Sequence, residues 1–422
     1  MRRRSRGKIS PFDGNQLGCQ NSLFNTNPTK VDNSSCAGDD SSPWPHPLHE
    51  HHNQDFRKPC STDEVIRSNA VSSGSIRIKL LTWNQEGRSV PPAKDLTKSF
   101  FPTLNHHIIA FGAQECERSF VRSIFKRRKT RWEATLIAAL GSKYKLIRSH
   151  SLQRSHLLVF VHESVLNLIS DLTSIAVPTG FGDTFGNKGG IGISFVFGGK
   201  SKFCLVSGHL AAHQNNIKRR TYEFGKISRE VVRWAERRSN LGDHSGADNP
   251  KQTNHSRNPL LNSFDFVFWF GDLNYRIQGT RRIIDRMLQG NKHQALRNSD
   301  QLNMLMQFDD DFLGFSEGPL NFRPTYKFDK LSDVYDTSKK RRIPSWTDRI
   351  LFKKGDDVQL LTYDCASDVR TSDHRPVYAS FLVNFEVDKD FVPSDSRKEK
   401  LKIVRCHRSV RRYPYVEAGL IS

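Results

Sequence analysis

From residue 75 onward, apolar and polar positions fall into regular patterns. In IRIKLLTWN, Ile76, Ile78 and Leu80 alternate with Arg77 and Lys79, the two-residue period of a strand with one buried face. HIIAFGAQE, HLLVFVHE, GGIGISFVFGG, KFCLVSGHL, FDFVFWFGDLN, VQLLTYD and RPVYASFLVNF follow. They are rich in Val, Ile and Phe and bounded by Gly, Asn or Asp, so each reads as a further strand. Three segments carry a helical spacing instead: WEATLIAALG, NNIKRRTYEFGKISREVVRWAERR, and TRRIIDRMLQG, whose Thr can cap it. Residues 240–262 read as a polar loop. This mixture predicts an α/β domain: a two-sheet β-sandwich flanked by helices.

Both ends break the pattern. Residues 1–74 are rich in Asn, Ser, Asp, Pro and His, as in SSPWPHPLHEHHNQD, and are expected to be a disordered polar tail. Its His46, His49, His51 and His52 lack the Cys or carboxylate spacing that would complete a metal site. The catalytic-type domain is placed at 75–385 and a basic tail at 386–422. RKEKLKIVRCHRSVRRYPYV suits either a solubilising role or adhesion to anionic lipid.

Composition narrows the classes. The 422 residues include 65 Lys plus Arg against 44 Asp plus Glu, a net charge of +21. An anionic partner is implied: nucleic acid, a membrane surface or a phosphorylated small molecule. The mean hydropathy of −0.60 agrees with an unpacked fraction. No apolar run approaches a bilayer span, and MRRRSRGKISPFDGNQ lacks the apolar core of a secretory signal. Seven dispersed Cys without CxxC pairs argue for a reducing compartment rather than a disulfide framework. RSFVRSIFKRRKTR (118–131) is unusually basic, which fits a solvated helix face or a membrane-facing patch.

Several strand-like runs end in polar groups that a core would waste. These are Asn84, Glu115, His209, and Asp272 with Asn274; Asp373 and His374 stand just before another run. Strand ends along one edge of a sandwich can gather such groups into a single pocket. The set holds carboxylates, carboxamides and imidazoles, without a nucleophilic Cys or a Ser on a nucleophile elbow. Hard oxygen donors suit Mg²⁺, and a metal with a base and two His can direct water onto a phosphate ester. No P-loop or kinase set is present.

FWFGDLNYRI (268–277) and RIPSWTDRIL (342–351) resemble the two signature motifs of the inositol polyphosphate 5-phosphatases, of the endonuclease/exonuclease/phosphatase (DNase-I-like) fold. TWN (82–84), QE (114–115), GNKGG (186–190), SGHLAAH (207–213), PTYKFD (324–329) and TSDHRPV (371–377) resemble further blocks of that family, in its order. The resemblance covers about residues 75–385 and neither tail. Gln85-Glu86 departs from it, where relatives more often carry an apolar and a small residue.

The resemblance implies roles position by position. Glu115 ligates Mg²⁺, with Asn84 in or beside its shell and Asp373 supporting the metal site. Asp272 is the general base on the attacking water, and Asn274 orients that water or the phosphate. His374, held by Asp348, contacts the phosphate. His209 is a second phosphate contact or assists the leaving oxygen. Tyr326, Lys327, Lys340 and Arg342 match positions that hold a neighbouring 4-phosphate, for which cations and a phenol are suitable donors. Lys188 contacts a phosphate, or its GNKGG block simply turns the chain. The expected activity is Mg²⁺-dependent removal of the 5-phosphate from phosphatidylinositol 4,5-bisphosphate or the 3,4,5-trisphosphate, or from a soluble inositol phosphate. The expected location is cytoplasmic, peripheral on anionic membrane faces. Two alternatives are a Mg²⁺ nuclease on the same fold, which the TYKFD and RIPSWTDRIL blocks disfavour, and a dead phosphoinositide-binding scaffold, which the complete residue set disfavours.

Overall fold

The computed structural model describes residues 74–116, 122–180, 187–239 and 258–392. The sequence expectations for the N-terminal tail, the histidine cluster, the C-terminal tail beyond residue 392 and most of the 240–262 loop lie outside these residues, as do the side chains of most of the basic run 118–131.

Twelve strands form two six-stranded sheets, ordered β11-β12-β1-β2-β4-β3 and β5-β6-β7-β8-β10-β9. The first holds β1 (Ser75–Asn84), β2 (Ile108–Gln114), β3 (Tyr144–Leu152), β4 (Ser155–His162), β11 (Val358–Cys365) and β12 (Val377–Asn384). The second holds β5 (Ile169–Pro178), β6 (Gly189–Phe197), β7 (Ser201–His209), β8 (Phe266–Asp272), β9 (Phe315–Glu317) and β10 (Asp348–Lys353). Each sheet has one parallel pair, β1 with β2 and β7 with β8. The helices are α1 (Ala93–Phe100), α2 (Arg122–Leu140), α3 (Ile217–Ser239), α4 (Pro259–Ser263), α5 (Arg281–Gln289) and α6 (Gln301–Phe308). None of the described helices is long and apolar enough to cross a membrane.

The period-2 rows explain the layers. Ile76, Ile78 and Leu80 of β1 face Phe266, Phe268 and Phe270 of β8 across a shared core, joined by Phe203 and Leu205 of β7 and by Ala379, Phe381 and Val383 of β12. The odd positions of β8, Val267 and Trp269, point outward and pack with Phe224, Ile227 and Val231 of α3. On the other outer face Leu81 and Trp83 meet Phe100 of α1 and Trp132 and Leu136 of α2. Packing continues past residue 385, because Phe391 lies against the turn at Gly199 and the inner core.

Each row that is apolar along the core turns polar at one edge. Asn84 continues the inward row of β1, Gln114 that of β2, His209 that of β7, Asp272 that of β8 and Asp348 that of β10. The registers align them, Asn84 with Gln114, His209 with Asp272, and Asp272 with Asp348. Just beneath, Gln114 bridges the sheets, its amide reaching Thr82 Oγ1 at 3.2 Å and Ser207 Oγ at 3.4 Å. Gly271 has a φ of +141°, and a Cβ there would fall 2.0 Å from the Gly208 carbonyl oxygen. Only glycine lets β7 and β8 approach this closely next to Asp272.

Candidate active site

A cavity of about 110 Å³ opens at this edge. Asn84, Glu86, Glu115, Lys188, His209, Ala212, Asp272, Asn274, Arg276, Tyr326, Asp373 and His374 line it. A larger depression, about 380 Å³, lies between Val90–Ala93 and the α2 residues 131–138, and carries neither carboxylate nor imidazole.

Asp272 is buried at the centre. Its Oδ2 accepts from Asn84 Nδ2 at 2.9 Å and lies 3.3 Å from His209 Nε2; its Oδ1 accepts the Asn274 amide at 3.2 Å. Burial alone would raise its pKa. The His209 hydrogen bond and the positive charges of His374 and Lys188 outweigh burial and hold it well below the carboxylate range. Asp272 is therefore an anion throughout the working pH range. Asn274 sits in the left-handed region at φ +58° and anchors its amide to the Leu210 carbonyl at 3.1 Å.

His374 and Asp348 form a buried pair, with Nδ1 2.8 Å from Asp348 Oδ2. That oxygen also accepts from Thr347 Oγ1 at 2.9 Å and Thr325 Oγ1 at 3.1 Å. Burial works against the imidazolium, but Asp348, Asp373 and Asp272 push the His374 pKa up to about 10. The three donors on Asp348 keep the shared proton on the imidazole. Tyr326 lies against the ring at 4.4 Å.

Glu115 is the most open carboxylate of this group, and its backbone is left-handed at φ +49°. Its carboxylate lies 3.8 Å from His209 Nε2 and 3.7 Å from Arg154 at the β3–β4 turn. Lys188 Nζ lies directly against His209 Nε2. Burial lowers the Lys188 pKa, against the pull of Asp272 and Glu115. His209 is lowered by burial and by Lys188, so it is neutral at pH 7.

The remaining expected residues lie at or just outside the wall. Asn84 faces Asp272 with its amide nitrogen, because its Oδ1 accepts the Glu86 amide at 3.0 Å. As arranged it is a donor to Asp272. Asp373 is paired with Lys327, so neither charge stands alone in the cavity. Lys340 is exposed and Arg342 half-buried, and neither lines the cavity. Both are near enough to His213, together with Arg276 and Lys188, to depress its pKa after burial has done so.

Two wall residues were missed by sequence reading. Arg276 donates to the carbonyl and side chain of Asn274 and lies 4.5 Å over the Tyr326 ring. It belongs to the FWFGDLNYRI block, which was the available signal. Glu86 falls where the sequence departs from the family pattern, so nothing pointed to it.

Among the described residues Asp272, Asp348 and His374 bring ligand atoms within 4.8 Å of one another. Asp348 Oδ2 takes three donors, His374 among them, an arrangement that suits moving a proton, while Asp348 Oδ1 is buried without a hydrogen-bond partner among the described residues. The open Glu115 carboxylate, with the Asp272 anion near it, is the hard oxygen donor that fits a divalent ion.

The chain matches the family described as endonuclease/exonuclease/phosphatase family 2 over residues 81–380. It is 34% identical over 261 residues to a phosphatidylinositol 4,5-bisphosphate 5-phosphatase of Saccharomyces cerevisiae, covering 61% of this chain and 25% of that protein. It is 30% identical over 327 residues to the human phosphatidylinositol polyphosphate 5-phosphatase type IV, covering 76% of this chain and 48% of that one. The chain thus spans about half or less of these curated relatives. Among solved structures, the inositol polyphosphate 5-phosphatase domain of SPsynaptojanin, in complex with inositol (1,4)-bisphosphate and calcium, superposes with a TM-score of 0.59 at 31% identity. That match covers 74% of this chain and 85% of the domain. A Cimex nitrophorin, at 22% identity and a TM-score of 0.56, shares the fold alone. With two thirds of its length under one family description and a solved 5-phosphatase domain nearly spanned, the chain belongs to the endonuclease/exonuclease/phosphatase family, in its inositol polyphosphate 5-phosphatase branch.

Proposed function

We propose that the chain hydrolyses the 5-phosphate of a phosphoinositide, or of a soluble inositol polyphosphate, with a divalent cation, Mg²⁺ by preference. The observation that carries this reading is the convergence of Asp272, His209 and Glu115 around one imidazole nitrogen, with the His374–Asp348 pair on the same cavity wall. The names of the relatives, which denote 5-phosphatases, support the substrate class.

Asp272 takes the proton of the attacking water, and Asn84 and the Asn274 amide fix its two oxygens so that the accepting lone pair is aimed. The water oxygen forms a bond to phosphorus as the bond to the inositol oxygen breaks, and the inositol leaves as an alcohol, taking up through solvent the proton that Asp272 removed. The His374 imidazolium, held by Asp348, donates to a phosphoryl oxygen whose charge grows in the transition state. Lys188 and Arg276 add cationic donors at the wall. Glu115 would hold the cation, with Asp373 nearby, and the bound ion would polarise the phosphoryl group and acidify the water. Tyr326, Lys327, Lys340 and Arg342 favour substrates with a 4-phosphate, Lys327 by exchanging Asp373 for the phosphate. The location that fits is a cytosolic membrane face, where such lipids are presented to the +21 chain.

The test is phosphate release from short-chain phosphatidylinositol 4,5-bisphosphate. Activity is expected with Mg²⁺ and lost with EDTA. Asp272→Asn should lower kcat about a thousandfold in protein that circular dichroism shows to be folded. Release of the 4-phosphate instead, or full activity in EDTA, would contradict the reading.

A further inference from the structure

The hairpin that leaves the cavity wall after Lys327 carries an exposed apolar tip. Phe328 bridges Tyr335, and the Asp329 amide closes the tip onto the Val334 carbonyl at 2.8 Å. Within it Leu331 is 73% exposed and Val334 46%. Leu331 also adopts φ +55°, a left-handed conformation that glycine or asparagine takes at little cost and leucine does not. Folding alone favours neither the exposure nor the residue type. The tip is held rigidly. Leu331 N donates to the Arg370 carbonyl at 3.2 Å, and Arg375 donates to the Ser332 carbonyl and the Asp333 carboxylate. Arg281 of α5 braces the following segment through the carbonyls of Tyr335, Asp336 and Arg342.

The surrounding charge identifies the partner. Lys330, Lys339, Lys340 and Arg341 are all exposed on the tip and the turn that follows it, while Asp333 is neutralised by Arg370 and Arg375. An apolar tip with flanking cations fits the interface of an anionic bilayer. Phe308 is more exposed, at 82%, but precedes Asp309, Asp310 and Asp311, which such a surface would repel. The hairpin is rooted at the site: Phe328 N donates to the Asp373 carbonyl at 2.9 Å, and Asp336 N to the Lys327 carbonyl at 2.9 Å.

We infer that residues 329–334 are a bilayer-docking tip, which inserts Leu331 and Val334 among anionic lipids and thereby sets the cavity beside the membrane surface. The inference rests on the proposed phosphoinositide activity only for the choice of a lipid surface.

The experiment is sedimentation of the full chain with phosphatidylcholine/phosphatidylserine vesicles lacking any phosphoinositide. The Leu331→Asn, Val334→Asn double variant should reduce the bound fraction about fivefold. Its thermal midpoint should hold or rise, because asparagine accepts the left-handed backbone. Its hydrolysis of soluble inositol 1,4,5-trisphosphate should be unchanged. Phe308→Asn should leave vesicle binding unaltered. Wild-type binding that is absent, equal in the double variant, or lost in Phe308→Asn instead overturns the inference. Absent hydrolysis with retained, tip-dependent binding would sink the activity and leave the docking tip standing.

Discussion

At the scale of single residues, the site works by opposing burial with charge. His374 is buried beside three carboxylates, and they win: its pKa rises to about 10. The folded-state value lies above the ordinary imidazole value near 6.5. The imidazolium therefore contributes stability that is fully present below that pH and lost as the pH climbs towards about 10. In the proposed mechanism the same proton contacts the phosphate, so kcat/KM should fall on the alkaline side with the His374 titration. Asp348→Asn keeps the shape but removes the largest stabilising charge, leaving burial to pull the pKa down. The alkaline limb of the pH–rate profile should then move down by two or more pH units, measured with metal held saturating. An unchanged limb would show that His374 does not titrate in catalysis. Asp272 has the opposite sign. Its lowered pKa adds stability present above the ordinary carboxylate range and lost as the pH falls below it.

At the scale of elements, the strands that position the site were legible because they are long, apolar and regular. β1 falls on a run read from its two-residue period, and β2, β7, β8 and β12 on runs read from their Val, Ile and Phe content. β3 and β5 were not legible, since much of YKLIRSHSL and ISDLTSIAVP is half-buried and polar. β10 was hidden by its own signature, because DRILFK is short and was read as motif rather than strand. The strand-end residues were visible as polar groups closing apolar runs, but the left-handed backbone at Glu115 and the turning of Asn84 towards Asp272 depend on neighbours far along the chain. The role of α3 was equally invisible. Its buried Arg220 donates to the carbonyls of Ala211 at 3.0 Å and His213 at 2.7 Å, and to Gln301 Oε1 at 2.6 Å. Gln301 Oε1 also receives the Arg276 amide at 3.0 Å. Glu223, one turn on, accepts the Ala211 amide at 2.7 Å. The helix thus clamps the loop after His209 and, through Gln301, the backbone of Arg276. Arg220→Met strands these acceptors in a buried place, and should cost about 3 kcal/mol in chemical denaturation. The stably folded fraction should also lose activity, because the loop no longer sets His209. Full activity in that fraction would assign Arg220 to stability alone.

At the scale of the whole molecule, two sheets meet so that their inner rows become polar at one shared edge, and that edge faces cations. After burial, Arg342, Arg276, Lys188 and Lys340 all depress the His213 pKa, and two of them, Lys188 and Arg276, line the cavity. The chain as a whole carries +21. A highly charged inositol phosphate approaching this mouth meets an attractive field before it makes any contact. Screening shortens that field from about 10 Å at 0.1 M salt to about 3 Å at 1 M. The contacts inside the cavity are buried and far less affected. Salt should therefore act on capture rather than on chemistry. For soluble inositol 1,4,5-trisphosphate, kcat/KM should fall about tenfold between 0.05 and 0.5 M salt while kcat holds nearly constant. Lys340→Ala should flatten that salt dependence, because Lys340 is exposed and within electrostatic reach of His213, so it adds to the field. Parallel losses in kcat and kcat/KM would mean instead that salt is displacing the metal or loosening the site, and that the charge around the mouth does not steer the substrate.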